Sequence, residues 1–328
     1  MPTRHSHLYE RLNEESLYRG YLRSREGKRR FPSTLAFERD LGANIAHLAQ
    51  ELNNGSYQIS PYRRFQVHEP KTRDICAPAF RDRVVQHAIY EMVYPIFDRT
   101  FIHDSYGCRI GKGTHKASLQ AQHFLRGSRP DSYTLQLDIK KYYYNIDRAI
   151  LRTLIEKKIK DTPFIDLMLS FAEMDEPVGL PIGNLLSQLF ALIYLDHFDQ
   201  YVKRELKVKR YVRYVDDSIL FDLDRNQAYE LRHQLEEWID AQLRLKLSRF
   251  TIAPVKRGVN FVGFRTWTRY RLVRKHSLYH FNRSLANEDA LSLNAIMGNA
   301  KGTSSLSHMQ NRVWGENPYL LSKLTHWL

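Results

Sequence analysis

Cysteine is almost absent. Cys76 and Cys108 are the only two in 328 residues, which excludes a thiolate zinc site. No stretch reaches the roughly 20 consecutive apolar residues that a membrane-spanning helix needs. The opening residues, MPTRHSHLYERLNEESLYRG, lack the apolar core of a secretory signal, so a reducing, cytoplasmic setting with no membrane partner is expected. Internal repeats and low-complexity tracts are also missing. With 43% hydrophobic residues, the chain is long enough for two or three globular subdomains.

Acid is in deficit. Fifty Lys and Arg face 36 Asp and Glu, a formal charge of +14 with a pI near 9.6. Such an excess favours a polyanionic partner, because neutralised phosphates release condensed counterions. The cations cluster at Arg19–Arg30, at Lys203–Arg213 and at Lys256–Lys275. Tyr18, Tyr21, Phe264, Trp267 and Tyr270 lie among them, as a surface that tracks a backbone and stacks bases requires.

Periodicity gives the elements. Ser33 reads as the N-cap of a helix carrying Phe37, Leu41, Ile45, Leu48 and Leu52, stopped by Asn53-Asn54-Gly55. Tyr57–Val67 reads as a strand with a turn at Pro61, and Val84–Val93 as a helix ended near Pro95. Gly107–Gly113 is a loop. Tyr133–Lys140 alternates strictly, with Leu135, Leu137 and Ile139 on one face and Gln136, Asp138 and Lys140 on the other. A long helix is expected over Leu185–Lys203, then a hairpin over Lys209–Asp222 with Asp216 and Asp217 at its turn. A helix over Gln227–Leu243, a strand over Val259–Trp267 and a mostly helical C-terminal segment complete an α+β pattern.

Asp138 on a strand and Asp216-Asp217 at a turn lie 78 residues apart, with room for two helices between them. An adjacent pair of acids beside apolar Val215 and Ile219 repels itself unless a cation sits there. Copying a nucleic acid is an in-line attack of a 3′-hydroxyl on a phosphate, clamped by two Mg²⁺ ions about 4 Å apart that prefer carboxylate oxygen. A bare Asp-Asp pair is more often a solvated turn. Here Tyr214-Val215 precede it in a run of alternating strand residues.

Tyr214-Val215-Asp216-Asp217 matches the YxDD signature, and the chain resembles reverse transcriptases over nearly its whole length. The resemblance implies a right-hand polymerase with fingers, a palm bearing an antiparallel sheet and a small helical thumb. Asp138-Ile-Lys-Lys-Tyr-Tyr-Tyr-Asn-Ile-Asp147 resembles the first catalytic block. It implies that Asp138, with Ile139 beside it, joins Asp216 and Asp217 around two Mg²⁺, with Mn²⁺ as a substitute. Asp138 and Asp216 rank ahead of Asp217, since an adjacent residue tends to point elsewhere. Tyr143 falls where an aromatic ring excludes the ribose 2′-hydroxyl, which implies dNTP as substrate. Lys71–Pro78 and Asp82–Gln86 resemble the fingers block, in which Lys71 and Arg73 grip the triphosphate; a Lys/Arg pair suits that task. Ser105–Arg109 and Gly111–His115 resemble the segment leading into the palm, and Gly258–Phe264 the hairpin that grips the primer. Tyr214, Ser187 and Gly263 are thereby assigned to primer and template. A lysine after the catalytic hairpin is a possible proton donor in many polymerases; Lys246 and Arg249 both stand near that place, and the sequence does not choose.

One block departs from the common form Gly-x-Pro-Gln-Gly-x-x-x-Ser-Pro. The chain reads Gly179-Leu-Pro181-Ile182-Gly183-Asn-Leu-Leu-Ser187-Gln188, with Ile182 for Gln and Gln188 for Pro. This pattern resembles the reverse transcriptases of diversity-generating retroelements, including those that switch phage tropism. The resemblance implies error-prone copying of a template-repeat RNA, with errors at adenines, into cDNA for mutagenic retrohoming. It places Ile182, Gly183 and Gln188 near the templating base and the nucleotide. It also implies a structured RNA and a basic pentameric accessory variability protein as partners, in the cytoplasm of a bacterial host. Glutamine can hydrogen-bond across the groove where isoleucine cannot, a contact worth about 0.5–1.5 kcal/mol.

The expected domains are residues 1–56 as an N-terminal extension leading into helical fingers, 57–132 as fingers running into the palm, 133–265 as palm, and 266–328 as thumb. Ala286–Asn299 and Ser305–Leu328 are the expected thumb helices. No second acidic constellation suggests ribonuclease H, and no Cys/His cluster suggests a zinc-bearing endonuclease. The competing readings are a retron or group II intron-like reverse transcriptase of ordinary fidelity, an RNA-dependent RNA polymerase, and a non-catalytic RNA-binding scaffold. Ile182 and Gln188 speak against the first, Tyr143 against the second and the intact acids against the third.

Overall fold

A computed structural model describes residues 4–68 and 72–324. In chain order the elements are α1 (Glu14–Ser24), α2 (Pro32–Glu38), α3 (Leu41–Asn53), β1 (Arg63–Val67), β2 (Arg73–Ala77), α4 (Phe80–Asp98), α5 (Thr114–Arg126), β3 (Tyr133–Ile139), α6 (Arg148–Glu156), α7 (Thr162–Ser170) and α8 (Leu185–Gln200). Then come β4 (Tyr211–Tyr214), β5 (Asp217–Leu223), α9 (Arg225–Leu243), β6 (Leu247–Pro254), β7 (Val259–Phe261), β8 (Phe264–Thr266) and β9 (Arg271–Val273). The helices α10 (Lys275–Ala286), α11 (Ala290–Ala300), α12 (Ser304–Glu316) and α13 (Pro318–Lys323) follow. No helix among the described residues is long and apolar enough to cross a membrane.

These elements divide into two units built from discontinuous segments. The first comprises residues 1–103, 139–207 and 235–248. In it α1 lies against α4 so closely that a Cβ on Gly20 would stand 2.4 Å from the Val84 carbonyl oxygen, so only glycine permits the approach. Helix α8 is apolar around most of its circumference, with Leu186, Leu189, Phe190, Ile193 and Phe198 all buried, as suits a helix at the centre of its unit.

Four sequence expectations change here. The helix expected from Ser33 to Leu52 is two helices, because Asp40 leaves the helical region (φ −127°, ψ 49°), and Phe31 rather than Ser33 is the first N-cap. Only Arg63–Val67 of the Tyr57–Val67 segment is strand. The residues before it are drawn instead to buried Asp82, whose carboxylate accepts from the Tyr57 hydroxyl (2.7 Å) and the Ser60 N–H (3.0 Å). Helix α4 continues through Pro95 to Asp98, and the Tyr94 hydroxyl bonds Asp98 at 2.8 Å across that last turn. Helix α8 stops at Gln200 and passes into a wider π-type turn over Tyr201–Glu205.

The second unit comprises residues 104–138, 208–234 and 249–328. Its main sheet has the strand order β4-β5-β3-β6, with both β4 and β3 antiparallel to β5. Helix α5 covers one face, where Ala117, Ala121 and Phe124 join Val212, Ile219 and Phe221 in a buried core. The alternation read for β3 holds: Leu135 and Leu137 are buried, while Gln136 and Asp138 stay partly open. A bulge interrupts the β3–β5 ladder, since Tyr133 faces Leu223 but Leu135 faces Leu220. The extra residue lies on β5, where Asp222 has φ 63° and is held by Arg129 and Arg210. The strand expected over Val259–Trp267 is a hairpin, because Val262 (φ 45°) and Gly263 (φ 90°) turn it in two residues and Phe261 faces Phe264. Beyond it α10–α13 close over Phe264, Phe281, Leu293, Met297, Met309 and Val313.

Candidate active site

The register of the central strands places the acids. Leu137 faces Ser218 across β3 and β5, so the next step along this antiparallel pair sets Asp138 level with Asp217. Tyr214 faces Asp217 on the other side, from β4. Directly opposed residues hold their Cβ atoms about 5 Å apart, and like charges so placed repel. Asp216 occupies the turn with Val215. Burial first, and then Asp138 and Asp216, push the Asp217 carboxyl up to about 7, against a hydrogen bond from Gln136 and the nearby Arg274 that pull it down.

Two neighbours hold these carboxylates. The Gln136 side-chain amide donates to Asp217 Oδ1 (2.8 Å) and to the Asn260 carbonyl (3.0 Å), tying the acid to β7. Arg249 on β6 reaches Asp138 at 3.8 Å, from a largely exposed position. A cavity of about 460 Å³ opens here, lined by Asp138, Asp217, Gln136, Arg249, Arg265 and Arg274 among others. Among the described residues no three acidic, histidine or cysteine side chains yet close on one point. A carboxyl pushed up first by burial and then by two like charges is nonetheless what a cation would relieve, so the donor set fits a divalent ion.

The turn carrying Asp216 is strained. Val215 has φ 56°, and a β-branched residue there is a backbone outlier at a position where a two-residue hairpin ordinarily takes glycine. Two features hold it. The buried Arg213 guanidinium donates to the Val215 carbonyl at 2.8 Å, and Gly107 lies so close that a Cβ on it would be 2.5 Å from Val215 Cγ2. The Tyr106 N–H also bonds the Arg213 carbonyl at 2.9 Å, so the Ser105–Arg109 segment buttresses the turn. Arg213 and Arg271, grouped with the exposed basic clusters from sequence, are in fact buried; Arg271 donates to the Gly302 carbonyl at 2.6 Å.

The remaining predicted residues lie in the first unit, apart from Tyr214, which is half-buried, and Gly263, at the tip of the β7–β8 hairpin. Ile139 is buried at the end of β3. Tyr143 is partly exposed, and its carbonyl accepts from the Leu180 N–H at 2.8 Å; the Ile182 carbonyl accepts from the Cys76 N–H of β2 at 2.7 Å. These two bonds bring the Tyr143 segment, the Ile182 block and the β1–β2 hairpin together. Gly183 (φ 108°) is required, since a Cβ would stand 2.9 Å from Ile75 Cγ2. Ile182 lines a cavity of about 380 Å³ with Tyr144, Cys76, Met174 and Leu180. Gln188 and Gly183 line a larger one of about 830 Å³ with Lys28, Arg63, Arg83, Gln86 and His87. In it the Gln86 Nε2 is buried without a hydrogen-bond partner, and burial together with Lys28 pushes His87 down to about 4. Ser187 is fully buried and its hydroxyl has no partner. Arg73 stands exposed on β2 opposite Val67, and Lys71 lies outside the described residues. Lys246 belongs to the first unit and Arg249 to the second.

Sequence reasoning missed Gln136, Gly107 and Arg213 as site residues. Gln136 carried a usable signal, standing two residues before Asp138 on the same strand face; Gly107 lay within the Ser105–Arg109 block with nothing to mark it as a brace for the turn, and Arg213 carried none.

Two antiparallel strands that present opposed acids at neighbouring positions are the arrangement a nucleotidyl-transfer palm needs. Residues 67–266 match the reverse transcriptase (RNA-dependent DNA polymerase) family, and the chain belongs to it. Protein YkfC of Escherichia coli (strain K12) is 26% identical over 286 residues, covering 73% of this chain and 74% of that protein. The group II intron-encoded protein LtrA of Lactococcus lactis subsp. cremoris is 30% identical over 177 residues, covering 50% of this chain and 29% of that protein. The structure of telomerase from Candida albicans with a fragment of telomeric RNA aligns with a TM-score of 0.52 at 12% identity, over 81% of this chain and 55% of that one. That likeness concerns the fold, an α+β right-hand polymerase.

Proposed function

We propose that this RNA-directed DNA polymerase is an error-prone one, copying a template-repeat RNA into adenine-mutagenised cDNA for a diversity-generating retroelement. Asp138 level with Asp217 supports the catalytic part of the reading. Asp138, Asp216 and Asp217, with Ile139 beside them, would hold two Mg²⁺, or Mn²⁺ in their place. Such ions, when bound, activate the attacking 3′-hydroxyl and neutralise the leaving oxygen. The chain's own part is to aim the acids through the strand register, to fix Asp217 through Gln136 and to hold Asp216 on a braced turn.

Arg73 and Lys71 are assigned to the triphosphate, Tyr143 to exclusion of the 2′-hydroxyl, and Ile182, Gly183 and Gln188 to the nascent base pair. Tyr214, Ser187 and Gly263 are assigned to primer and template, and residues 1–56, 57–132, 133–265 and 266–328 to extension, fingers, palm and thumb. A structured RNA and a pentameric accessory protein complete the proposed assembly in a bacterial cytoplasm.

Ile182 is the observation that carries the error-prone reading. Ile182 lines a cavity with Met174, Leu180 and Cys76, and its hydrocarbon side chain has no group that can hydrogen-bond a base. The test is primer extension on an RNA template with dNTP and Mg²⁺, with the products sequenced. Asp216→Asn should abolish extension, and Ile182→Gln should lower adenine misincorporation up to roughly tenfold, the worth of one polar contact. Errors spread evenly over the four template bases would contradict the subfamily. They would favour the second reading, a group II intron-type enzyme of ordinary fidelity, which the likeness to LtrA supports.

A further inference from the structure

We propose that the surface formed by Arg99, Lys157, Lys158 and Arg204 docks the phosphate backbone of RNA outside the template–primer duplex. The proposal rests on the reading of the chain as an RNA-copying enzyme, and concerns a face that the predicted catalytic and substrate-binding residues do not use.

Three helix ends meet there within the first unit: α4 ends at Asp98, α6 at Glu156 and α8 at Gln200. They enclose a cavity of about 360 Å³ with Phe97, Leu154 and Ile193 among its apolar lining and the four cations at its edge. Among the described residues none of these four makes an ion pair. Cations elsewhere in the unit do: Arg23 with Glu91, Arg25 with Glu38, Arg81 with Glu51, Arg152 with Asp166 and Arg244 with Asp147. The acids in those pairs are engaged by other cations, while Glu205, next to Arg204, acts on His197 at this face. The one acid in the lining, Asp196, accepts from Gln200 Nε2 at 2.9 Å. The same amide donates to the Thr100 carbonyl at 2.9 Å, which locks the α8 end to the α4 end.

The base is rigid as well. Tyr201 stacks on Trp238 at 4.6 Å, with their planes 12° apart, and His197 packs on the same indole at 5.1 Å. Burial, and then Lys157, push the His197 imidazole down, so it adds no charge at neutral pH. A fixed, net-positive track with a narrow apolar bottom suits a sugar–phosphate backbone recognised by shape and charge. Arg99 and Lys157 are also the C-cap residues of α4 and α6, where a cation complements the helix dipole. That role predicts lost stability on substitution; RNA docking predicts lost RNA affinity.

The experiment uses the full chain loaded with a short, unstructured RNA template and DNA primer, stalled by a chain terminator. The probe is a fluorescein-labelled RNA hairpin with a stem of roughly 20 base pairs. In the variant Arg99→Ala/Lys157→Ala/Lys158→Ala/Arg204→Ala, hairpin affinity should fall at least about tenfold, and the salt slope should shrink by about 3, as four phosphate contacts require. Arg99→Lys/Arg204→Lys should keep both, and extension on the short template and the melting temperature should stay near those of the unsubstituted chain. Unchanged affinity and slope in the quadruple variant overturn the proposal. So does a fall in melting temperature with affinity intact, which assigns the cations to helix ends. Loss of binding to polyglutamate with hairpin binding intact overturns it in favour of an acidic protein partner. Failure of the unsubstituted chain to extend any primer sinks the polymerase reading alone, because hairpin binding needs no catalysis.

Discussion

Replacing Asp217 with asparagine should stabilise the metal-free protein at pH 8 and remove most of its response to Mg²⁺. Asp217 stands level with Asp138, and burial with two neighbouring acids pushes its carboxyl from 3.8 to about 7. The raised value means that the fold favours the protonated form. This contribution is therefore fully present below pH 3.8 and is lost as pH rises through 7. At about 1.36 kcal/mol per pH unit the loss is bounded near 4 kcal/mol. The side chain is partly open to its cavity, and solvent screening lowers this to about 2 kcal/mol. Asparagine keeps an acceptor for Gln136 and carries no charge. Urea unfolding at pH 5 and pH 8, with EDTA and with Mg²⁺, measures all of this. The unsubstituted chain should lose stability between the two pH values in EDTA and regain it with Mg²⁺, by about 1.4 kcal/mol at ten times the dissociation constant. The variant should be flat in pH and nearly indifferent to the ion. If it is no more stable than the parent at pH 8, or gains equally from Mg²⁺, the opposition of the two acids is not what the register indicates.

Three further outcomes are expected. Gln136→Leu removes a hydrogen bond to a charged group worth about 1.5–3 kcal/mol, so half-saturation by Mg²⁺ in primer extension should rise roughly tenfold or more, most steeply below pH 8; an unchanged Mg²⁺ requirement refutes it. Gly107→Ala forces a methyl against Val215 and should lower the extension rate at least about tenfold while shifting stability by only about 1–3 kcal/mol, read by single-turnover kinetics beside urea melts. His87, held down near 4 by burial and Lys28, should make the parent lose about 2 kcal/mol as pH falls from 6.5 to 4; a His87→Leu variant unfolded by urea across that range should lack this slope.

Much of this was legible in the sequence because strand periodicity is short and strict. Two-residue alternation alone put Asp138 on the face opposite Leu135 and Leu137. The hairpin turn was visible too, but one residue out: Val215 and Asp216 make it, and Asp217 opens β5 opposite Tyr214. The turn's support was not, since Gly107 meets Val215 from a segment about a hundred residues away, and the Arg213 guanidinium folds back onto a carbonyl two residues on, neither of which periodicity encodes. Tyr57–Ser60 escaped for the same reason: a strand-like stretch was pulled to one buried carboxylate. Arg213 and Arg271 show the limit of reading charge from composition, as both are spent on backbone carbonyls inside the fold.

The bulge at Asp222 gives the second unit a point of control remote from its chemistry. Side chains on a strand alternate, so a slip of one residue between β3 and β5 would present Leu137 or Ile139 to Asp217 in place of Asp138. What prevents the slip sits at the other end of the ladder, where Arg129 and Arg210 clasp one kinked aspartate. The alignment of the two acids is in that sense inherited along the strands, like the phase of a ruled grating set by its first line. Damage to the Asp222 clasp would be felt as a mis-set pair of carboxylates, and a screen for inactive variants would find it among residues that never approach a phosphate.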